Sequence, residues 1–326
     1  MECFNDNKTD LGKKLYLQEF INEKFVQEMT CAFAYGSSIF KQQNGSSEPK
    51  MIDIIIVVKS PKDFHARNIE RNPDDYSCLK NFGSSFINTV FHETSSGLYF
   101  NPYVKYKNNV FKYGLMSESK LLEDLVNWKY LYISGRLHKP VLWLKDPNVD
   151  SEIHKALITN RLNAIETTLM FSPETINESL LFEDLCQLSY KGDCRAWFGI
   201  DLNKSMRIVK GNLYGFKEIY RPMYSRISGI HIRGQFIEND VSPSRVIQRF
   251  NSLPLHVRTV AENFIGQAKY NPHRPDINLL KCNALRAMYS IVRKSSIIQM
   301  VKALPTSGLL KSSQYIVTKF RKSFMG

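Results

Sequence analysis

The sequence has no apolar run long enough to span a bilayer, and it has few cysteines. Ile54–Val58 is an uninterrupted apolar run of only five residues, whereas a transmembrane helix needs about 20. We therefore predict no membrane-spanning helix. The six cysteines include no Cys-x-x-Cys pair. This scatter disfavours a structural zinc site or a disulfide framework and favours a reducing compartment.

Arginine is absent from the first ten residues, and acidic residues are absent from the last fifty. The N-terminus, with Glu2, Asp6 and Asp10, is unlike a secretory signal or an arginine-rich transit peptide. Residues 277–326 contain nine lysines and arginines. The whole chain has 44 basic and 31 acidic residues, a net charge of +13, so only +4 belongs to the rest of the chain. A polyanionic partner is therefore expected at the C-terminal end.

Hydrophobic periodicity predicts an α+β protein. An amphipathic helix over residues 13–29 precedes a short apolar strand that ends in a Gly-Ser turn at 36–38. A polar loop over 41–50 leads into the β-branched run 51–58, which is typical of a buried strand. Two further strands, joined by Asn-rich turns, are expected over 97–115.

The predicted domains alternate between strand-containing and helical segments. The first part of the strand-containing domain covers 1–115, a helical domain 116–188, return strands 189–215, a helical part 216–300 and a basic segment 301–326.

Asp53 interrupts the apolar run from Met51 to Val58 and is the first candidate for chemistry. An unpaired carboxylate among apolar residues costs several kcal/mol, so a metal ion or a basic partner should meet it. Upstream, Gly36 and Ser37 close a strand with a turn whose backbone amides and hydroxyl can approach a triphosphate. This arrangement resembles the nucleotidyltransferase pattern of polymerase-beta-like enzymes, in which two acids one residue apart usually bind magnesium.

A structural interpretation of the same residues stays open on this pattern alone. Ile55 occupies the position of the expected second acid. Gly36-Ser37 would then be an ordinary turn, and Asp53 an internal salt-bridge partner.

A longer series of motifs follows one order along the chain. It comprises Tyr35-Gly36-Ser37-Ser38-Ile39-Phe40, Met51-Ile52-Asp53, Phe64-His65-x-x-Asn68, Asn72-Pro73-x-x-Tyr76-Ser77, Gly97-x-Tyr99-Phe100-Asn101-Pro102, Lys112-Tyr113-Gly114, Trp128-x-x-Leu131-Tyr132-x-x-Gly135-Arg136-Leu137-x-Lys139-Pro140-Val141 and Ser189-Tyr190-x-Gly192-Asp193-x-Arg195. The series resembles the mitochondrial translocator assembly and maintenance family, the peripheral phosphatidate cytidylyltransferases (CDP-diacylglycerol synthases) of the mitochondrial inner membrane. The likeness extends from about Phe33 to the Lys311–Tyr315 region.

The resemblance implies magnesium-dependent transfer of CMP from CTP to phosphatidic acid, with release of pyrophosphate, to supply cardiolipin synthesis. It implies a polymerase-beta-like mixed sheet, a helical second domain for which a winged helix is one option, and peripheral attachment on the matrix side of the inner membrane. Two motifs depart from the family pattern: in the first Ser38 replaces a glycine, and in the second Cys194 and Ala196 replace a phenylalanine and a methionine.

Roles for individual residues follow from the resemblance. Asp53 and Asp193 would be the metal-binding catalytic acids; Gly36, Ser37 and Ser38 would contact the triphosphate; Lys112, Arg136, Lys139 and Arg195 would bind the phosphates of CTP or phosphatidic acid; and His65 and Asn68 would be substrate contacts. Each basic residue has a solvated or structural charge as its alternative, and His65 a structural hydrogen bond. The nucleophile, a phosphate oxygen, is already ionised, so no general base is needed.

Residues 309–324 show an amphipathic pattern. On a helical projection the apolar side chains Leu309, Ile316, Phe320 and Phe324 share one side, and Lys319 and Lys322 lie opposite. We interpret this segment as an interfacial helix for an anionic membrane surface. A helix docked on the protein's own core is the alternative.

Two other classes of function stay open. An RNA-directed nucleotidyltransferase is disfavoured because the C-terminal basic residues alternate with large apolar side chains and form no aromatic-basic RNA-binding motif, so no nucleic acid partner is expected. A non-catalytic assembly factor for inner-membrane translocases is disfavoured by the presence of Gly36, Ser37, Asp53 and Asp193.

Overall fold

The computed structural model describes residues 3–26, 28–40, 51–195, 203–266 and 276–307, with only the backbone described for 3–10 and 307. The predicted loop at 41–50 and the predicted amphipathic segment 309–324 lie outside the described residues. The chain forms two compact units. The first comprises Met1–Lys120, Val141–Ser151 and Gln299–Gly326, and the second comprises Leu121–Pro140 and Glu152–Ile298.

A five-stranded mixed sheet forms the centre of the first unit. Its strands are β1 (Cys31–Tyr35), β2 (Ile52–Val58), β3 (Tyr99–Tyr106), β4 (Asn109–Ser117) and β5 (Leu142–Lys145), in the order β3-β4-β2-β1-β5. β2 and β4 are parallel, and the other neighbours are antiparallel. The strands predicted before Gly36, at 51–58 and over 97–115 are confirmed.

Helices cover one face of this sheet. They are α1 (Cys3–Lys24) and α2 (Pro61–Arg71). The short helix α3 (Gly83–Ile87) follows later in the chain. Phe20 of α1 and Phe64 of α2 pack in one apolar cluster with Ile54 of β2 and Phe111 of β4. Because side chains alternate along a strand, Asp53 belongs to the opposite face.

The second unit is mainly helical. Its helices are α4 (Glu118–Asn127), α5 (Ser134–Leu137), α6 (Glu152–Phe171), α7 (Glu178–Gln187), α8 (Lys204–Gly211), α9 (Leu213–Tyr220), α10 (Pro243–Asn251), α11 (Leu255–Ile265) and α12 (Ile277–Ser307). α4 begins and α12 ends in the first unit. A small antiparallel sheet has the order β6-β8-β7, from β6 (Thr175–Asn177), β7 (Ile230–Arg233) and β8 (Phe236–Asn239). Large buried side chains such as Trp128, Phe182, Phe216 and Phe250 form the core of the second unit.

The α+β class is confirmed, but the return strands predicted over 189–215 are wrong for the described residues of that range. The described residues of that range contain α8 and the start of α9, and no strand. Val209 of α8 is fully buried in the core and Ile208 packs against the core, so tertiary packing overrides the β-propensity of both residues. The hairpin of β7 and β8 was not predicted. Within the described residues, no helix is both long and apolar enough to cross a membrane.

A buried carboxylate organises the segment between α4 and α5. Asp124 is 1% exposed. Its two oxygens accept hydrogen bonds from the five consecutive backbone N–H groups of residues 130–134, at 2.8–3.2 Å. The same segment contains two non-glycine residues in the left-handed region, Trp128 (φ 51°) and Leu131 (φ 47°). Such strain persists only where the surroundings fix the conformation, and Asp124 supplies that constraint.

We expect Asp124→Asn to lower the free energy of unfolding by about 3 kcal/mol, because the amide NH2 cannot accept hydrogen bonds and leaves buried N–H groups unpaired. Urea unfolding followed by circular dichroism measures this loss. The exposed Asp150 provides the control: Asp150→Asn should leave the midpoint unchanged. Equal midpoints for the two variants would contradict the role of Asp124.

Candidate functional site

Asp53 and Lys112 form an ion pair on the face of the sheet opposite α1 and α2. They are direct neighbours in the parallel register of β2 and β4. The Lys112 Nζ atom lies 3.5 Å from Asp53 Oδ1, and the two side chains are 28% and 30% exposed. The predicted basic partner of Asp53 is therefore present. Because both groups reach solvent, the pair is accessible to a charged ligand.

The Gly-Ser turn lies beside this pair. Gly36 has φ +90°, a conformation that favours glycine, and a Cβ atom built on it would lie 3.9 Å from Asp53 Oδ2. The Gly36 carbonyl accepts hydrogen bonds from the Ile39 and Phe40 amides, which closes the turn. Ser37 and Ser38 are partly exposed. The structure thus brings together four of the predicted site residues: Gly36, Ser37, Asp53 and Lys112.

Ser38 fits the turn without strain. It is not among the non-glycine residues of positive φ, so a side chain at this position costs nothing in backbone conformation. Its carbonyl and that of Ile39 accept hydrogen bonds from Lys13 Nζ at 2.6 and 2.8 Å. Lys13 on α1 therefore stabilises the turn through these two hydrogen bonds. No sequence motif indicated this role.

A phenylalanine supports Lys112 from the neighbouring strand. The Lys112 Nζ atom lies 4.2 Å from the centroid of the Phe100 ring, within the range of a cation–π contact. The ring fits over β4 because Gly114 has no side chain: a Cβ there would lie 2.5 Å from Phe100 Cε1 and 2.8 Å from Ile55 Cδ1. Ile55 is fully buried. The position of the expected second acid is therefore part of the packing under Phe100.

Asp193 and Arg195 belong to the second unit and pair with each other. The Arg195 Nε atom donates to both Asp193 oxygens at 2.9 and 3.0 Å, its Nη2 atom donates to Oδ2, and its backbone N–H donates to Oδ1 at 3.0 Å. Burial raises the pKa of Asp193, but the hydrogen bonds and charge of Arg195 outweigh it and leave that pKa below its ordinary value. Both carboxylate oxygens are thus engaged by arginine, and a metal-binding role for Asp193 stays a prediction.

The other two predicted phosphate ligands, Arg136 and Lys139, lie at the end of the segment organised by Asp124. The Arg136 guanidinium lies over the Tyr132 ring, 4.7 Å from its centroid. Lys139 Nζ donates to the Gly135 carbonyl and the Ser189 hydroxyl at 2.6 and 2.9 Å.

His65 and Asn68 are fully buried in a polar network of the first unit, and the structure gives no support to direct contact with a substrate. His65 Nδ1 lies 2.8 Å from the Tyr76 hydroxyl, and its Nε2 lies 2.8 Å from His92 Nε2. Asn68 Nδ2 donates to the hydroxyls of Tyr76 and Tyr113, each at 2.9 Å. These contacts make His65 and Asn68 positioning residues on the side of the sheet covered by α2. They act on β4 through Tyr113, which lies between Lys112 and Gly114 in the sequence.

Both histidines of this network are neutral. His92 Nδ1 lies 2.8 Å from the Gly97 carbonyl, which can only accept, so Nδ1 donates and Nε2 accepts from His65. His65 Nδ1 then accepts from Tyr76. Burial lowers the pKa of His92 to about 4 and holds that of His65 well below its ordinary value, and repulsion between the protonated forms of the two rings is a further cause for His65. Sequence reasoning missed His92, which stands outside the motifs that flank it.

The Asp53 carboxylate suits a hard cation whose remaining ligands come from a substrate. In the described part of the chain, no group of three or more His, Cys, Asp or Glu side chains is placed to hold a metal ion. Mg²⁺, however, is commonly bound by one or two carboxylates together with substrate phosphates and water. A partly exposed carboxylate beside a glycine turn fits that donor set.

Comparison with known proteins points to one family. Residues 17–322 match the family described as "Phosphatidate cytidylyltransferase, mitochondrial". The chain is similar to curated proteins of the same name from Mus musculus (33% identity, 93% of this chain and 93% of the relative) and Danio rerio (32%, 96% and 95%). A relative of that name from Drosophila melanogaster is 32% identical over 90% of this chain and 94% of its own length.

The neutral histidine pair predicts acid sensitivity. Because the folded-state pKa values lie below the unfolded value of 6.5, the stability from this pair is complete above pH 6.5 and is lost as the pH falls toward 4. At pH 5.5 each histidine should cost about 1.4 kcal/mol relative to pH 7.5. Urea unfolding of His92→Gln should show a pH-dependent loss smaller than that of the wild type by about this amount. The exposed His231 is the control, and a His92→Gln variant as acid-sensitive as His231→Gln would contradict the assignment.

Proposed function

The chain belongs to the mitochondrial phosphatidate cytidylyltransferase family, and on that premise we propose that it transfers CMP from CTP to phosphatidic acid. The products would be CDP-diacylglycerol and pyrophosphate, and we propose that they supply cardiolipin synthesis. The observation that carries this proposal is the Asp53–Lys112 pair beside the Gly36 turn. This arrangement places a partly exposed acid, a partly exposed cation and an open backbone turn side by side, where a triphosphate could reach all three.

We propose Mg²⁺ as the cofactor, bound by Asp53 together with the phosphates of CTP. When bound, the ion would neutralise charge on the triphosphate. The proposal rests on the fit of one accessible carboxylate to a hard cation, since Ile55 provides no second acid.

The protein's own residues would act through binding and alignment. The amides of the Gly36-Ser37 turn would receive phosphate oxygens, as glycine turns do at many phosphate sites. Lys112 would exchange its pairing with Asp53 for a phosphate oxygen, while Phe100 keeps the ammonium over the sheet. Since the attacking phosphate is already ionised, the mechanism requires alignment and charge neutralisation but no base. The neutral, fully buried His65 is consistent with that requirement.

Pyrophosphate release tests the proposal directly. The full chain is supplied with CTP, Mg²⁺ and either phosphatidic acid or RNA. Release with phosphatidic acid supports the proposal. Release that depends on RNA, or no release with either acceptor, contradicts it.

Asp53→Asn should reduce kcat at least 100-fold, equivalent to about 2.7 kcal/mol of lost transition-state stabilisation, because the amide neither ligates Mg²⁺ as a carboxylate does nor balances Lys112. Steady-state kinetics over a Mg²⁺ titration measures the effect. CTP binding provides a second readout, since its dependence on Mg²⁺ should weaken in the variant. Asp63→Asn, on the exposed surface of α2, is the matched control. Near-full activity of Asp53→Asn at saturating Mg²⁺ would remove Asp53 from the metal site.

We propose peripheral attachment to the matrix side of the mitochondrial inner membrane through residues 309–324. The relatives are named mitochondrial proteins, and the described helices provide no membrane span. The supporting observation is the segregation of Phe320 and Phe324 from Lys319 and Lys322 on a helical projection, with no acid in the last fifty residues.

A truncation tests this attachment. The chain should end at Ser307, because Thr306 is buried and the Pro305 carbonyl accepts a hydrogen bond from Ser77. Removing residues 308–326 should abolish sedimentation with vesicles of anionic phospholipid while leaving the thermal unfolding midpoint unchanged. Lys155→Gln, an exposed charge change elsewhere, is the control. Sedimentation of the truncated chain equal to that of the full chain would overturn the attachment proposal.

A further inference from the structure

An exposed apolar surface lies on the first unit, along three short helices that follow one another in the chain. They are a 3-10 helix (Cys78–Phe82), α3 (Gly83–Ile87) and a π-helix (Asn88–His92). Phe82, Phe86 and Val90 are 62%, 41% and 38% exposed, at intervals of four residues. The rings of Phe82 and Phe86 lie together, with their centroids 5.0 Å apart. We call these three side chains the Phe82 surface.

The same helices are apolar on their inner side as well. Leu79, Ile87 and Phe91 are buried with Tyr99 in one apolar cluster. These inner residues hold the helices on the first unit, so the Phe82 surface is not needed for packing. A helical stretch that exposes large apolar side chains in addition to a buried apolar side is typical of a surface that meets a partner or a membrane.

No formal charge interrupts the Phe82 surface. Residues 81–92 contain no Asp, Glu, Lys or Arg, in a chain in which 23% of the residues are charged. The cation that precedes this range, Lys80, is partly exposed, and the acid that follows it, Glu93, accepts a hydrogen bond from Asn88 at 2.9 Å. Transfer of residues 81–92 to the boundary between lipid headgroups and acyl chains therefore desolvates no charged side chain.

The C-terminal segment of the chain leaves the described structure beside these helices. The Nζ atom of Lys302, on α12, donates to the Phe91 carbonyl at 2.8 Å, and the Ser77 hydroxyl donates to the Pro305 carbonyl at 2.7 Å. Lys302 is buried, so the end of α12 is fixed against the helices that carry the Phe82 surface. The described chain ends two residues after Pro305, and residues 308–326 follow.

We propose that Phe82, Phe86 and Val90 form a second membrane contact, which enters an anionic phospholipid bilayer next to residues 309–324. This inference rests on the attachment proposed above and extends it from a terminal segment to the folded first unit. The partner is a lipid surface rather than a protein, because the segment that leaves beside these helices has the pattern of an interfacial helix. Three side chains are too few to hold the protein on a membrane alone, so they add to the attachment by residues 309–324.

Removal of the two rings tests the contact. Binding of the full-length double variant Phe82→Ser/Phe86→Ser to vesicles of anionic phospholipid, measured by sedimentation, should weaken about tenfold, because both rings lose apolar area buried in the bilayer. Its thermal unfolding midpoint should stay unchanged. Val149→Ser is the matched control, since Val149 is a 69% exposed apolar residue of the same unit. Equal binding of the double variant and the wild type would overturn the inference.

Fluorescence quenching reports insertion into the bilayer directly. Phe86→Trp adds a fluorophore to the Phe82 surface, and Val149→Trp adds one at the control position, over the background of the wild-type tryptophans. Vesicles whose acyl chains carry bromine should quench the fluorophore added by Phe86→Trp and leave the one added by Val149→Trp unquenched. An unquenched Phe86→Trp in vesicle-bound protein would also overturn the contact.

Two other occupants of the Phe82 surface predict different results without vesicles. If residues 308–326 cover it, truncation after Ser307 should shift the emission of Phe86→Trp to longer wavelength in solution. If a second copy of the chain covers it, sedimentation velocity should show a dimer that Phe82→Ser/Phe86→Ser dissociates. Either result would replace the bilayer as the occupant and overturn the inference.

Turnover separates this inference from the proposed function. With a short-chain, water-soluble phosphatidic acid the double variant should keep the wild-type kcat and KM, whereas with phosphatidic acid in vesicles its activity should fall about tenfold. If the wild type releases no pyrophosphate with either form but bromine quenches Phe86→Trp, the proposed function fails and the contact stands. If the wild type is active and the double variant binds vesicles and turns over as the wild type does, the contact fails and the function stands.

Discussion

The parallel register of β2 and β4 is the constraint on which the first unit's candidate site depends. It sets Asp53 directly beside Lys112, so that a partly exposed carboxylate and a partly exposed ammonium stabilise each other. A shift of one strand by one residue in this register would place the two side chains on opposite faces of the sheet. The chemistry proposed for this protein therefore depends first on strand pairing and only then on the identity of the side chains.

Side chains on both faces of the sheet hold β4 in place around Lys112, Tyr113 and Gly114. On the site face, the Phe100 ring lies over Gly114 and against the Lys112 ammonium. On the other face, Tyr113 accepts hydrogen bonds from Asn68 and Asn101 and donates to Asp75, whose second oxygen pairs with Lys24. Within the described residues Asn101 Oδ1 has no hydrogen-bond partner, but the other hydrogen bonds of this buried network favour one arrangement of its members over alternatives.

In the second unit, too, a buried polar side chain fixes the segment that leads to predicted phosphate ligands. Asp124 binds five consecutive amides, and the strained segment that it stabilises leads to Arg136 and Lys139. Lys139, fixed by its hydrogen bonds to Gly135 and Ser189, lies 4.5 Å from the centroid of the Tyr190 ring.

The sequence by itself determined the family, the α+β class and the strands that flank Asp53, because these depend on local pattern and on long motifs in a fixed order. It also predicted Gly36, Ser37, Asp53 and Lys112 as site residues, from a turn glycine, an acid within an apolar run and a family motif, and the structure places these four close together. Only the tertiary structure decided what His65, Asn68 and Asp193 contact, because their partners His92, Tyr76, Tyr113 and Arg195 are chosen by packing and burial. The same holds for α8, where core packing of Val209 outweighed local β-propensity, and for Tyr190, whose two ammonium neighbours come from positions 51 residues before it and 14 after it.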